Sequence, residues 1–238
     1  MHTRTALSAL LALLLTGALI TAQTEVVKGQ DPHGQVKDAA ESKIERGTPL
    51  DFSVSGLTKD NVDKVKQSLT SMETQVYVCN GCKHEQAAAG KCSPCNLDMK
   101  ATKEPLFFEA VASVETETIR VIPMAAGTLR YSDLEGALMK NSIQIEAAKF
   151  PLAGNARLVL LGGTLENAKV IERALTDAKY FDLVKAEYAA ASGEIHVMFH
   201  ANATPPMRAK VLSTIDGLGT KAKLSDVIWG PPTAPTKA

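Results

Sequence analysis

Apolar and polar residues alternate at Leu50, Phe52 and Val54, the period of a strand with one buried face. The period then changes. After Gly56-Leu57-Thr58-Lys59-Asp60-Asn61, apolar positions fall at Val62, Val65 and Leu69, the spacing of an amphipathic helix, with Thr58 suited to cap its first turn. Residues 106–114 and 119–124 predict a hairpin around Glu115-Thr116-Glu117. A helix with Leu134, Ala137 and Leu138 on one side follows, and residues 143–147 predict a closing strand.

The same order returns in the second half. Gly162-Gly163-Thr164-Leu165-Glu166-Asn167 repeats the earlier block, with Gly, Thr and Asn at matched places. It follows an apolar strand at residues 157–161 and opens a helix with Ala168, Ile171, Leu175 and Ala178 on one face. Residues 181–188 and 194–200 pair through Ala191-Ser192-Gly193. Thr204-Pro205 reads as a helix start, with Met207, Val211 and Ile215 facing inward and Gly217 and Gly219 as the stop. Residues 221–229 supply a last strand. The expected fold class is therefore α+β: two ferredoxin-like β-α-β-β-α-β units, 49–150 and 151–229, each an antiparallel sheet with two helices on one face. Residues 74–104 break the first unit between its first helix and second strand and read as an insertion at a surface connection.

The flanks are of other kinds. Met1-His2-Thr3-Arg4 precedes an apolar run from Ala6 to Ile20 and a small residue at Ala22, the pattern of a cleaved secretory signal peptide over residues 1–22. Residues 23–48 are polar, lack apolar periodicity and predict a disordered linker; residues 230–238, with three prolines, predict a flexible tail. The expected location is the periplasm or the outside of the cell, with no membrane association after cleavage. The full chain has 26 basic and 26 acidic residues. Loss of Arg4 with the signal leaves 25 against 26, a net charge of −1 that argues against a nucleic-acid partner.

Candidate chemistry lies in the inserted segment. Cys79, Cys82, Cys92 and Cys95 are the four cysteines of the chain, spaced Cys-x2-Cys, x9, Cys-x2-Cys. Two such knuckles can fold back and set four sulfurs around one thiophilic cation. An oxidising compartment also favours disulfides. Pairing within a knuckle would close a very small loop, however, and small strained disulfides are usually labile or catalytic. A bound metal and a thiol–disulfide redox pair are thus the two readings. Four thiolates around Zn2+ would form a closed structural site; Cu+ also accepts thiolates and is the alternative cofactor. His84, two residues after Cys82, could replace one sulfur, bond to a liganding group, or simply be solvated.

The segment resembles the short heavy-metal-binding domain of periplasmic efflux adaptors and copper-transporting ATPases. Tyr77, Cys79, Gly90, Lys91, Cys92 and Cys95 match its pattern. Where that family has Met-His this chain has Gly81-Cys82, and where it has Gly-Met this chain has Asn96-Leu97. The changes move the site from Met/His copper ligation toward a zinc ribbon. The two repeats resemble heavy-metal-associated domains, but Lys59 and Val62, and Leu165 and Ala168, occupy the places of that family's cysteines. This second resemblance implies a fold and no ligands. Together they imply metal handling, with a protein partner in that process.

A further set lies on the strand at residues 194–200. Glu194, His196, Met198 and His200 share the face opposite Ile195, Val197 and Phe199. His196, Met198 and His200 would suit copper or zinc; a plain exposed sheet face is the other reading. Enzymatic signatures are missing: Gly162-Gly163 lacks the lysine and spacing of a phosphate loop, and no Gly-x-Ser-x-Gly elbow occurs. The sequence predicts a non-enzymatic metal-binding protein.

Overall fold

In the computed structural model, residues 45–86 and 88–230 are described; the expected signal peptide, most of the expected linker and the tail after Gly230 lie outside them. Among the described residues there are four α-helices and twelve strands, and every strand pairing is antiparallel. No helix among them is long and apolar enough to cross a membrane.

The first sheet contains β1 (Leu50–Ser55), β5 (Phe107–Ser113), β6 (Thr118–Pro123) and β8 (Gln144–Ile145), in the order β5-β6-β1-β8. The alternation in β1 is realised: Leu50, Phe52 and Val54 are buried while Asp51 and Ser55 are exposed. Helix α1 (Val62–Thr70) buries Val65 and Leu69, and α2 (Tyr131–Met139) buries Tyr131, Leu134 and Leu138. The second sheet contains β9 (Asn155–Leu161), β10 (Phe181–Ala189), β11 (Glu194–Ala201) and β12 (Lys223–Trp229), and takes in β7 (Leu129–Arg130), in the order β10-β11-β9-β12-β7. Helix α3 (Leu165–Asp177) buries Ala168, Ile171 and Leu175; α4 (Arg208–Gly217) buries Val211 and Ile215.

The repeated block has the same local geometry twice. Gly56 and Gly162 have φ of +86° and +78°, where a side chain would be strained. A Cβ on Gly56 would lie 2.7 Å from the Ser142 carbonyl oxygen; one on Gly162 would lie 3.2 Å from that of Lys221. The Thr58 amide donates to Asn61 Oδ1 at 2.8 Å, and the Thr164 amide to Asn167 Oδ1 at 3.1 Å. The helix ends differ. Thr164 caps α3 in a reciprocal capping box, whereas α1 starts at Val62 behind a turn, with Asn61 rather than Thr58 at its cap position.

Three expectations are corrected. Helix α4 starts at Arg208, not at Thr204-Pro205, because Pro206 holds the residue before it extended and residues 206–207 pair with the chain at residues 151–152: the Leu152 amide donates to the Pro206 carbonyl at 2.9 Å. Met207 is consequently about half exposed rather than inward. The strand expected over residues 143–147 shortens to β8, because the chain turns into a 3-10 helix at Ala147–Lys149.

The two sheets share one apolar core. Phe150, fully buried, packs its ring against Phe52 (5.0 Å), Tyr131 (5.1 Å) and Trp229 (5.5 Å), residues of both sheets and of α2. The Trp229 indole donates to the Ala153 carbonyl at 3.0 Å. We expect Phe150→Ala to cost about 3–5 kcal/mol. Urea unfolding followed by fluorescence and circular dichroism should show one transition moved to lower denaturant. Separate loss of one sheet would contradict a shared core.

Candidate metal centre

Between α1 and β5 lies a three-stranded sheet of β2 (Glu73–Cys79), β3 (Glu85–Gln86) and β4 (Met99–Pro105), in the order β3-β2-β4. Strands β2 and β4 pair from Glu73↔Pro105 to Cys79↔Met99, so the ladder ends where the cysteines begin. Its root is fixed by the buried Thr74, whose hydroxyl accepts from the Thr128 amide at 3.2 Å. Beyond the root the segment buries little: Thr74, Val76, Cys79 and Cys92 are its buried side chains among the described residues. None of them belongs to the main apolar core.

Two turns of matching geometry carry the sulfurs. In the first, the Lys83 amide donates to the Cys79 carbonyl (3.1 Å) and the Cys79 amide to the His84 carbonyl (2.9 Å). In the second, the Asn96 amide donates to the Cys92 carbonyl (2.8 Å) and the Cys92 amide to the Leu97 carbonyl (2.8 Å). Lys83 and Asn96, each four residues after the first cysteine of its pair, are both left-handed, with φ of +59° and +57°. Each turn offers one buried cysteine, Cys79 or Cys92, and one exposed, Cys82 or Cys95. Lys91, part of the matched pattern, and Asp98, which no motif singled out, flank the second turn and close it with an ion pair at 2.6 Å. The sequence signal for Asp98 is its charge, opposite to that of Lys91 on the other side of a Cys-x2-Cys.

All four sulfurs lie within 4.8 Å of one another. Cys79–Cys95 is 3.2 Å, and Cys82–Cys92 and Cys82–Cys95 are both 3.4 Å. A tetrahedron with metal–sulfur bonds of about 2.3 Å has edges of about 3.8 Å, so the cluster fits one thiophilic ion with small adjustments. All four cysteines are free thiols. The group could hold a metal ion.

The thiols are not equivalent. The Cys82 amide hydrogen-bonds the Cys79 sulfur and outweighs burial, which acts the other way, bringing that thiol down to about 6. Burial pushes Cys92 up to about 12. Near neutral pH Cys79 is thus mostly thiolate, while Cys92 must lose a proton to bind a cation.

His84 presents its Nε2 to Ser93 Oγ at 3.2 Å, tying one turn to the other. On β11, Ile195, Val197 and Phe199 are buried and the intervening residues face outward. His196 Nε2 lies 2.9 Å from Glu194 Oε2, and His200 Nδ1 hydrogen-bonds Asn155 Oδ1 on β9. The His196 and Ser192 hydrogen bonds hold the Glu194 carboxyl below its ordinary range. Each imidazole therefore has its own polar partner, and Met198 sits between them in the ladder. Among the described residues, the cysteine quartet is the one cluster of three or more Cys, His, Asp or Glu groups close enough to share an ion.

Compared with protein-family models, curated proteins and solved structures, the chain significantly matches none.

Metal binding should release protons, Cys92 and Cys95 among the donors, and affinity should fall with falling pH, most steeply as Cys79 also protonates below about pH 6. Competition with a chromophoric chelator across that range reads this directly; a flat profile would contradict it. Cys79→Ser should weaken metal retention by about 100-fold or more, yet leave the urea midpoint of the main core within about 0.5 kcal/mol, because the segment contributes nothing to that core.

Proposed function

We propose that the chain is a non-enzymatic metal-binding protein of the periplasm or the extracellular space. It binds one soft cation through Cys79, Cys82, Cys92 and Cys95. Zinc is the preferred ion: four sulfurs from two matched turns suit a closed tetrahedral site, and Cu+ often settles for two or three thiolates. The observation that carries the reading is the convergence of the four sulfurs within 4.8 Å at the end of a ladder with almost no apolar core. In this reading the two larger sheets are degenerate ferredoxin-like units, and the cysteine segment is a ribbon inserted in the first. The strand orders, second-third-first-fourth in each repeat once β7 is set aside, support that assignment. The location rests on the N-terminal apolar run. The role is metal homeostasis with a protein partner, or a rigid interaction module built on the ribbon.

A thiol–disulfide role is the second reading. The low Cys79 thiol and its 3.2 Å approach to Cys95 favour it. Burial of Cys79 counts against it, since exchange requires access.

Native mass spectrometry and elemental analysis of protein purified without reductant should give about one zinc or copper per chain, with four free thiols after denaturation in chelator. No metal together with blocked thiols would overturn the metal reading in favour of the redox one. A second equivalent of metal, lost on substitution of His196 and His200, would bring the β11 set into the function.

A further inference from the structure

Away from the cysteines, a cleft of about 620 Å3 opens between the outer face of the five-stranded sheet and the segments at residues 46–48 and 123–129. That is the size of a small-molecule site. Its walls are mainly apolar, with Met124 on one side and Leu183, Met198 and Ile228 on the other. Leu183, 65% exposed, is the most exposed large apolar side chain among the described residues.

The floor carries a charge without a contacting partner among the described residues. Arg157 on β9 lies in the ladder between Met198 and Ile228, is half-buried, and makes no hydrogen bond or ion pair among the described residues. A guanidinium stays protonated, so partial burial without a partner has a free-energy cost. Arg130 repels it and Glu194 attracts it, without either forming an ion pair with it. Glu194 is held by His196 and Ser192. Asp226, also on this face, is held by Arg130 and Ser132. At the rim, Arg46 rests over the Phe108 ring at 5.7 Å and has no carboxylate partner among the described residues. None of the described residues lining the cleft is acidic.

We propose that this cleft is a binding site for a small amphipathic anion, with a carboxylate-type head on Arg157 and an apolar body between Met124, Met198 and Leu183. The apolar walls exclude a bare inorganic anion as the best occupant, and the Arg157 guanidinium on the floor, with Arg46 at the rim, selects a charged head over a neutral one. A carboxylate can meet the guanidinium through two parallel hydrogen bonds, which water-exposed lysines would not provide. The site is independent of the cysteine cluster and stands whether or not that cluster holds metal.

The probe is decanoate, below its micellar concentration, titrated into the full chain by calorimetry and by amide NMR. Decanol and acetate serve as the neutral and the tailless comparisons. Decanoate should saturate at about one per chain and bind at least about tenfold more tightly than decanol, with acetate weaker than both. Arg157→Gln should reduce decanoate to the level of decanol, while Arg173→Gln, an exposed charge on α3, should change nothing. Absence of saturable decanoate binding would overturn the proposal. So would equal affinity for decanoate and decanol in the unaltered chain, a comparison that holds even if Arg157→Gln fails to fold. Binding that emerges only after deletion of residues 231–238, which follow Gly230 at the cleft rim, would assign the cleft to the chain's own C-terminus and also overturn it.

Discussion

A stretch of chain that buries almost nothing apolar has to be ordered by another force. Between Glu73 and Pro105 no described side chain joins the main core, and two of the four buried side chains are cysteines. Backbone hydrogen bonds hold the β2–β4 ladder, but they do not explain why four thiols should gather at its tip. Thiols repel one another once ionised, and the buried Cys92 resists ionisation while the Cys82 amide favours it at Cys79, so the four do not reach one charge state together without a cation. A shared soft ion removes that conflict and couples metal binding to the folding of the segment.

The rest of the chain follows a different logic. Each sheet uses one apolar face against two helices, and the faces merge around Phe150 and Trp229 into a single core. Strand β7 strengthens the merger: it leaves the first sheet's last long strand and pairs with β12 of the second. The cysteine segment is anchored at its root by Thr74 and Leu106, and none of its described side chains joins the core, so a change at its tip is expected to leave the core in place. The outer face of the second sheet, left open by this arrangement, becomes the floor of the cleft.

Much of the secondary structure could be read from period alone. The alternation in β1 and β11 and the three-to-four spacing in α1 and α3 leave little choice of element, since burial selects one face. The reading failed where tertiary pairing overrode a local signal. Thr204-Pro205 carries a sound helix-start pattern, yet residues 206–207 are claimed by the chain at Pro151, and the helix waits until Arg208. Strand β7 is two residues long and has no periodicity to detect. The cysteine site was legible because its ligands lie within seventeen residues of chain and its spacing dictates convergence.

The sequence by itself determined the longer elements of the two repeats, the repeated Gly-Thr-Asn block and the four sulfur donors, because each depends on patterns among residues close in the chain. Only the tertiary structure decided that the two sheets share a core, that His196 and His200 each have a separate polar partner, and that Arg157 lies unpaired beneath an apolar cleft. Those features join residues far apart in the chain, through packing and charge placement that no local pattern encodes.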